Sequence, residues 1–205
     1  DSFSARGVRS LCELKERPIQ PWSDRTRDAY AALDYLVGRP DVDADAVVVL
    51  GWSHGGSTVM GVVRPQAPGR KPTGPHFKAA IAFYPGCASP LQQKSWRPTM
   101  PLMVLHGEAD DWTPAAPCVE LAQKMQSQGL PVQTITYAGA HHGFDAPGNA
   151  AVRYLPRVFN PAAAGERGAH IGPDPHARRA AIEQVKGFVE GQLQSTRAQA
   201  PGRIE

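Results

Sequence analysis

Residues 47–56, VVVLGWSHGG, decide the fold of this chain. Their apolar first half lacks the alternation of a half-exposed strand, and it is typical of a strand buried on both faces of a sheet. The run ends in a Gly-x-Ser-x-Gly pattern, in which a strand turns sharply into a helix and exposes a strained serine, here Ser53. The segment therefore predicts a strand, a tight turn and a helix, with Ser53 as a candidate nucleophile.

The glycines of this turn have a steric explanation. Gly51 and Gly55 flank Ser53, and we expect side chains there to collide with the neighbouring strand and helix, while Gly56 adds further room. The backbone N–H of His54, at the start of the predicted helix, is a candidate donor to an oxyanion. The pattern also arises by chance in a chain with 20 glycines, so a turn without chemistry is the alternative interpretation.

Composition excludes several classes of protein. With 205 residues, 41% of them hydrophobic and 20% charged, the chain can build one domain with a sizeable core. The formal net charge of +3 is too small to argue for binding to nucleic acid or to a membrane surface. The apolar runs are too short to cross a bilayer. Because the chain starts at Asp1, the lack of a signal peptide carries little weight, and a cytoplasmic or periplasmic location and the oligomeric state stay open.

Strands and helices alternate along the chain. Apolar runs and their breakers predict strands at 46–50, 78–84, 100–106 and 132–137, and helices at 24–37, 54–63, 114–128 and 174–193. This alternation predicts an α/β fold, with a mostly parallel sheet and helices on both faces, in a single domain over 1–194. Ligand sites in such sheets lie beyond the carboxyl ends of the strands.

The remaining segments are predicted to be irregular. Residues 1–21 are expected to form a loop with a short helical piece at 8–16, and Ser23 is expected to be the N-cap of the helix that follows. The Gly/Pro/Ala-rich stretch 145–173 is predicted as a loop or a lid-like excursion. Residues 195–205 are predicted as a polar tail.

Two polar motifs, HGEADDWTP and GAHHGFD, follow the last two predicted strands. The first supplies a candidate acid, Asp110 or Asp111, and the second a candidate base, His141 or His142. Serine is a weak nucleophile until a histidine accepts its proton, and a buried carboxylate holds that histidine in the correct tautomer. The chain order of serine, acid and histidine is the one found in α/β-hydrolases and differs from the orders of other serine triads.

The arrangement GWSHGG…HGEADDWTP…GAHHGFD resembles the dienelactone hydrolase family of α/β-hydrolases. The opening DSFSARGV also resembles a segment that follows the fourth strand in one branch of that family. The resemblance covers nearly the whole chain, and it implies Ser53 as nucleophile, Asp110 as acid and His142 as base. It further implies that a loop after the third strand supplies a second oxyanion donor, and that no metal or cofactor is required.

Two departures from the family pattern change the expectation. The prototype enzymes carry cysteine as nucleophile, whereas this chain has Ser53, which favours an ester over the prototype's lactone. The first four strands of the family core have no counterpart, so the chain is expected to form the C-terminal part of the fold. The strand at 46–50 would then lack its usual neighbour at the sheet edge.

Aromatic residues near the motifs have two interpretations. Trp52 and Trp112 flank the candidate catalytic positions, and Tyr84 ends a predicted strand near them. They are candidates for a substrate pocket, and as large apolar residues they could equally be core packing.

The other histidines and the cysteines receive structural expectations. The side chain of His54 should point away from the Ser53 hydroxyl, and His106 should support the acid-bearing loop. His76, His170 and His176 belong to no constellation and are expected at the surface. Cys87 and Cys118 follow neighbouring predicted strands at the same end of the sheet, which makes a disulfide between them a hypothesis that fits an oxidising compartment.

The sequence thus predicts a hydrolase that cleaves a small-molecule carboxylic ester or lactone through an acyl-enzyme. Two alternatives stay open. One is a peptidase of the prolyl-oligopeptidase type, which shares the turn and the triad order. The other is a non-catalytic fragment or binding module on the same fold.

Overall fold

The computed structural model describes residues 1–199, with side chains up to residue 194. Four strands form one sheet in the order β1-β2-β3-β4, and every neighbouring pair is parallel. Their bounds are Val48–Trp52 (β1), Ala79–Phe83 (β2), Leu102–Gly107 (β3) and Val132–Tyr137 (β4). The α/β architecture predicted from the sequence is therefore confirmed.

Helices cover both faces of this sheet. They are Asp24–Val37 (α1), His54–Val62 (α2), Ala88–Gln92 (α3), Ala116–Gln126 (α4) and Pro175–Gln199 (α5). Alternate residues of β2 point to opposite sides: Ala80 packs into the cluster that holds α1, α2 and α4, whereas Ile81 packs into the cluster that holds α5. Among the described residues, no helix is long and apolar enough to cross a membrane.

The strand of the opening motif is more exposed than its two inner neighbours. β2 and β3 are buried along their whole length, but β1 is only half-buried over Val48, Val49 and Leu50. β1 lies at the edge of the four-stranded sheet and has only β2 as a partner. Both of its faces carry core packing, as its apolar pattern predicts, since Val49 packs against one cluster and Val48 and Leu50 pack against the other. Their remaining exposure arises at the edge, where β1 has no further strand in the described structure.

The segment predicted as an excursion contains a hairpin. Strands Arg153–Phe159 (β5) and Arg167–Ile171 (β6) pair antiparallel, apart from the four-stranded sheet. The hairpin also binds the start of the chain, since the Phe159 N–H donates to the Cys12 carbonyl at 2.7 Å. Composition favoured a loop, and these partners from distant parts of the chain overrode it.

Three other expectations need correction. No helix forms over residues 8–16, and the described first segment holds only a short 3₁₀ turn at Ser4–Arg6. Ser23 precedes α1 as predicted, but its hydroxyl caps no helical amide. Helix α5 continues to Gln199 through much of the predicted polar tail, and residues 200–205 of that tail lie outside the described residues.

The disulfide hypothesis is confirmed. Cys87 and Cys118 are bonded, with their Cα atoms 5.0 Å apart, and both are buried. The bond links the loop after β2 to α4, while Cys12 is an exposed free thiol.

Candidate active site

The turn after β1 holds its serine in a strained conformation. Ser53 has φ 52° and ψ −117°, and α2 begins at the next residue. A β-carbon on Gly51 would lie 2.4 Å from the Gly55 carbonyl oxygen, and one on Gly56 would lie 2.6 Å from the Phe83 carbonyl oxygen. A β-carbon on Gly55 would meet nothing closer than the Arg25 guanidinium at 3.8 Å, which is an ordinary contact. The steric requirement therefore falls on Gly51 and Gly56, and the expectation for Gly55 is wrong.

The three predicted triad side chains form one hydrogen-bonded chain. His142 Nε2 lies 2.8 Å from Ser53 Oγ, and His142 Nδ1 lies 2.8 Å from Asp110 Oδ2. Each residue follows the carboxyl end of a different strand, so the parallel sheet brings them together from distant parts of the chain. Asp110 and His142 are buried, whereas Ser53 is half-buried and adjoins a cavity.

Asp110 sits where its charged form is stabilised. Burial alone would raise the pKa of this carboxyl, but the hydrogen bond from His142 and the backbone N–H of Thr113 outweigh burial and lower the pKa below its usual value. Both the Trp112 and Thr113 N–H groups donate to Oδ1, at 2.9 and 2.8 Å. Asp110 therefore stays ionised and can hold an imidazolium.

The neighbouring acid has a different partner. Asp111 accepts hydrogen bonds from the backbone N–H of His170 at 2.8 Å and from its ring Nδ1 at 2.7 Å. The structure thus attaches Asp111 to β6 rather than to the histidine that faces Ser53. His170 was expected at the surface without a constellation, and it is half-exposed but paired.

The two adjacent histidines in the loop after β4 also have different neighbours. His142 faces Ser53 and Asp110, while the His141 ring lies 5.7 Å from the His170 ring. The Gly172 N–H donates to the His142 carbonyl at 3.1 Å, so the end of the hairpin also holds the candidate base in place.

Two aromatic rings pack against His142. Its ring centroid is 4.6 Å from that of Tyr84 and 4.8 Å from that of Trp112. The Trp112 indole N–H donates to the Phe159 carbonyl at 2.9 Å, which fixes that ring against β5. Of the three aromatic pocket candidates, the structure brings only Trp112 to the cavity lining. Tyr84 is buried beside His142, and Trp52 is exposed and stacks on Phe83.

A cavity of about 560 Å³ opens beside Ser53. Its wall is mostly apolar. Four segments contribute to it: residues 11–22 near the start of the chain, the loop after β2 that holds Cys87, the loop after β3 that holds Asp110 (the acid loop), and the turn between β5 and β6. Apolar lining residues include Leu11, Trp22, Trp112, Pro114 and Pro161. A cavity of this size suits a small molecule with a few placed polar groups.

The side chain of His54 points away from the triad, as expected. Its Nδ1 lies 2.9 Å from an Arg25 guanidinium nitrogen, and since guanidinium only donates, Nδ1 must accept and Nε2 must carry the proton. Burial, with Arg25 and Arg17 nearby, lowers the pKa of His54 to about 4. His54 is also the first residue of α2, where a backbone N–H has no partner within the helix. That N–H is the candidate oxyanion donor beside Ser53.

His106 lies behind the acid. It is fully buried, its Nε2 is 3.3 Å from the Pro85 carbonyl oxygen, and burial lowers its pKa. Its Nδ1 is 3.9 Å from Asp110 Oδ2, which is contact without a hydrogen bond. His76 is half-buried and His176 is exposed, and neither adjoins the triad.

Sequence reasoning missed two residues. The Thr113 hydroxyl lies 3.0 Å from Asp110 Oδ2 and 3.1 Å from the Tyr84 carbonyl oxygen, so it joins the acid loop to the end of β2. The position of Thr113, three residues after an aspartate in a turn, is a recognisable signal. Asp145 accepts hydrogen bonds from Tyr84 and Trp52, and nothing in the local sequence indicates these partners.

Within the described residues, no group of three His, Cys, Asp or Glu side chains is placed to hold a metal ion.

The model of the dienelactone hydrolase family matches residues 14–190. The chain belongs to this family. No curated protein gave a significant match to the chain. This family member has a serine, Ser53, in its Gly-x-Ser-x-Gly turn, whereas the prototype enzymes of the family carry a cysteine as nucleophile.

Solved structures agree in fold. A dienelactone hydrolase-like promiscuous phosphotriesterase, P91 from metagenomic libraries, is 20% identical with a TM-score of 0.58, and the match covers 82% of this chain and 62% of that one. Butyrate-bound esterase 2 from Thermogutta terrifontis is 20% identical with a TM-score of 0.58, covering 86% of this chain and 68% of that one. Esterase PE8 is 20% identical with a TM-score of 0.46, covering 57% of this chain and 51% of that one. The chain thus spans half to two thirds of the length of these structures, and it shares its fold with the phosphotriesterase and with esterase 2.

Proposed function

We propose that this chain carries the triad of a serine hydrolase that cleaves carboxylic esters or lactones. The observation that carries the proposal is the chain of hydrogen bonds from Ser53 through His142 to Asp110, with 2.8 Å at each step. Membership of the dienelactone hydrolase family supports hydrolysis of an ester-type bond. The strained backbone of Ser53 supports the role of nucleophile.

In the proposed mechanism, the Ser53 hydroxyl donates its proton to His142 Nε2 as Oγ attacks the carbonyl carbon of the substrate. The His142 Nδ1–H donates to Asp110, whose carboxylate stabilises the imidazolium that forms. The backbone N–H of His54 donates to the developing oxyanion. His142 then gives its proton to the departing alkoxide, which leaves Ser53 esterified.

Deacylation repeats these steps with water. His142 takes a proton from a water molecule that attacks the acyl carbon, and it returns the proton to Ser53 Oγ as the acid leaves. The apolar wall, including Trp112 and Pro114, supports binding of an apolar acyl or alcohol group.

Labelling with a fluorophosphonate probe tests the proposal, because only an activated serine reacts quickly with it. We expect one labelled peptide containing Ser53, loss of labelling in Ser53→Ala, and unchanged labelling in Ser89→Ala, which alters an exposed serine. Turnover of p-nitrophenyl esters but not of peptide amides separates an esterase from a peptidase. A folded chain that neither reacts with the probe nor hydrolyses esters would leave a binding module as the function.

A further inference from the structure

The carboxylate of Asp145 is held by two aromatic side chains. The Tyr84 hydroxyl donates to Oδ1 and the Trp52 indole N–H donates to Oδ2, each at 2.6 Å. The Asp145 backbone carbonyl accepts from Arg178 Nε at 3.0 Å, which anchors the residue to α5. Because Asp145 follows His142 by three residues, this anchor lies on the same loop as the candidate base.

Tyr84 connects Asp145 to the triad. Its ring lies 4.6 Å from the His142 ring, its backbone has φ 37°, and it is buried. A left-handed conformation at a bulky residue persists only where its surroundings hold it. Burial and the Asp145 carboxylate both raise the pKa of the Tyr84 hydroxyl, so the group stays protonated and donates.

We infer that Asp145 is a positioning residue for the proposed reaction, acting through Tyr84 to hold the imidazole plane of His142. The inference rests on the proposed function of the triad. The torsion that turns an imidazole is broad and roughly two-fold, so hydrogen bonds at its two nitrogens leave the ring free to tilt. The rings of Tyr84 and Trp112 pack against the imidazole, with centroids 4.6 and 4.8 Å away, and restrain this tilt.

This restraint matters most during proton transfer. His142 must first take the proton of Ser53 and then present it to the leaving oxygen, with Nδ1 still bonded to Asp110. Aromatic rings packed against the imidazole limit how far Nε2 can move away from Ser53 Oγ. Small errors in such geometry are costly, since a displacement of about 1 Å can lower turnover about a hundredfold.

Substitutions separate this role from a merely structural one. Tyr84→Phe keeps the ring and removes the donor, and Asp145→Ala removes the acceptor. We expect each to lower kcat for a p-nitrophenyl ester about tenfold with little change in KM, because neither residue lines the cavity. Since both variants lose the same hydrogen bond between Tyr84 and Asp145, the double variant should be no slower than the slower single variant.

Trp52→Phe is the matched control. It removes the other hydrogen bond to the same carboxylate, yet the Trp52 ring stacks on Phe83, whereas the rings that pack on His142 are those of Tyr84 and Trp112. We expect a loss of Tm similar to that of Tyr84→Phe, with kcat close to that of the parent protein. Equal losses of kcat in Trp52→Phe and Tyr84→Phe at equal losses of Tm would overturn the inference.

A measurement that needs no turnover distinguishes this inference from the proposed function. The hydrogen-bonded proton between His142 and Asp110 gives a far-downfield proton resonance in NMR, assigned by its loss in Asp110→Asn. We expect the resonance to broaden in Tyr84→Phe and Asp145→Ala and to stay sharp in Trp52→Phe. If Ser53 proves unreactive while this pattern holds, the proposed function fails and the positioning survives. If the resonance is equally sharp in all variants, the positioning fails whatever Ser53 does.

Discussion

Gly107 and Ala140 approach so closely that a β-carbon on Gly107 would lie 2.2 Å from the Ala140 carbonyl oxygen. The same carbonyl accepts the Ala109 N–H at 3.0 Å. Gly107 ends β3 just before the acid loop, and Ala140 lies just before the two histidines. This contact therefore sets the distance between the loops of Asp110 and His142.

Gly107→Ala should consequently damage both stability and the triad. The new methyl group meets backbone rather than a flexible side chain, so the two loops must separate, at a cost of about 1–3 kcal/mol. We expect a lower urea midpoint and slower fluorophosphonate labelling. Gly187→Ala in α5 is the control, since nothing lies within 4 Å of its β-carbon and alanine favours a helix by about 1 kcal/mol. Normal labelling of a destabilised Gly107→Ala would show that the loops are set independently.

The two glycines that follow Ser53 in the turn, Gly55 and Gly56, should differ in their tolerance of alanine. Gly56→Ala places a β-carbon 2.6 Å from the Phe83 carbonyl oxygen and should lower both stability and labelling of Ser53. Gly55→Ala places it 3.8 Å from the Arg25 guanidinium, and we expect a free energy of unfolding within about 1 kcal/mol of the parent. Urea unfolding and probe labelling of both variants check this contrast. A Gly55→Ala protein as damaged as Gly56→Ala would contradict it.

Acid should destabilise the protein partly through His54. Its pKa falls from 6.5 to about 4 on folding, so between these values the unfolded state binds more protons. The contribution of His54 is therefore fully present above pH 6.5 and is lost progressively as the pH falls towards 4. In His54→Gln, the rise of the free energy of unfolding between pH 4 and 6.5 should be shallower, as measured by urea titrations across that window. An unchanged slope would show that His54 is not buried in its neutral form.

Reduction of the disulfide should loosen the wall of the cavity. Cys87 lines the cavity and its bond to Cys118 closes a loop with a sequence separation of 31. We expect Cys87→Ala/Cys118→Ala to unfold at lower urea concentration, with a loss of about 2–4 kcal/mol. Dithiothreitol should lower the stability of the parent and of Cys12→Ala but leave the double variant unaffected. A parent protein indifferent to dithiothreitol would contradict the prediction.

The fold was predictable because its signals are local. The helix at 24–37 and the strand at 132–137 have the bounds predicted from apolar periodicity and breakers. The hairpin β5–β6 was not predictable in the same way. Its strands are stabilised by contacts such as the bond from Phe159 to Cys12 and that from His170 to Asp111, which join residues far apart in the chain.

For the candidate site, too, features with local sequence signals were predictable, and contacts between distant residues were not. By itself, the sequence determined the residue types and the order of Ser53, Asp110 and His142, since each follows a strand whose carboxyl end must lie at one edge of a parallel sheet. Only the tertiary structure decided that Gly56 rather than Gly55 takes the close contact, that Thr113 hydrogen-bonds Asp110, and that Tyr84 packs against His142 and donates to Asp145 instead of lining the cavity. The physical reason is that strand direction and turn chemistry are encoded in neighbouring residues. Steric contact and hydrogen bonding between distant loops depend on how the whole sheet packs.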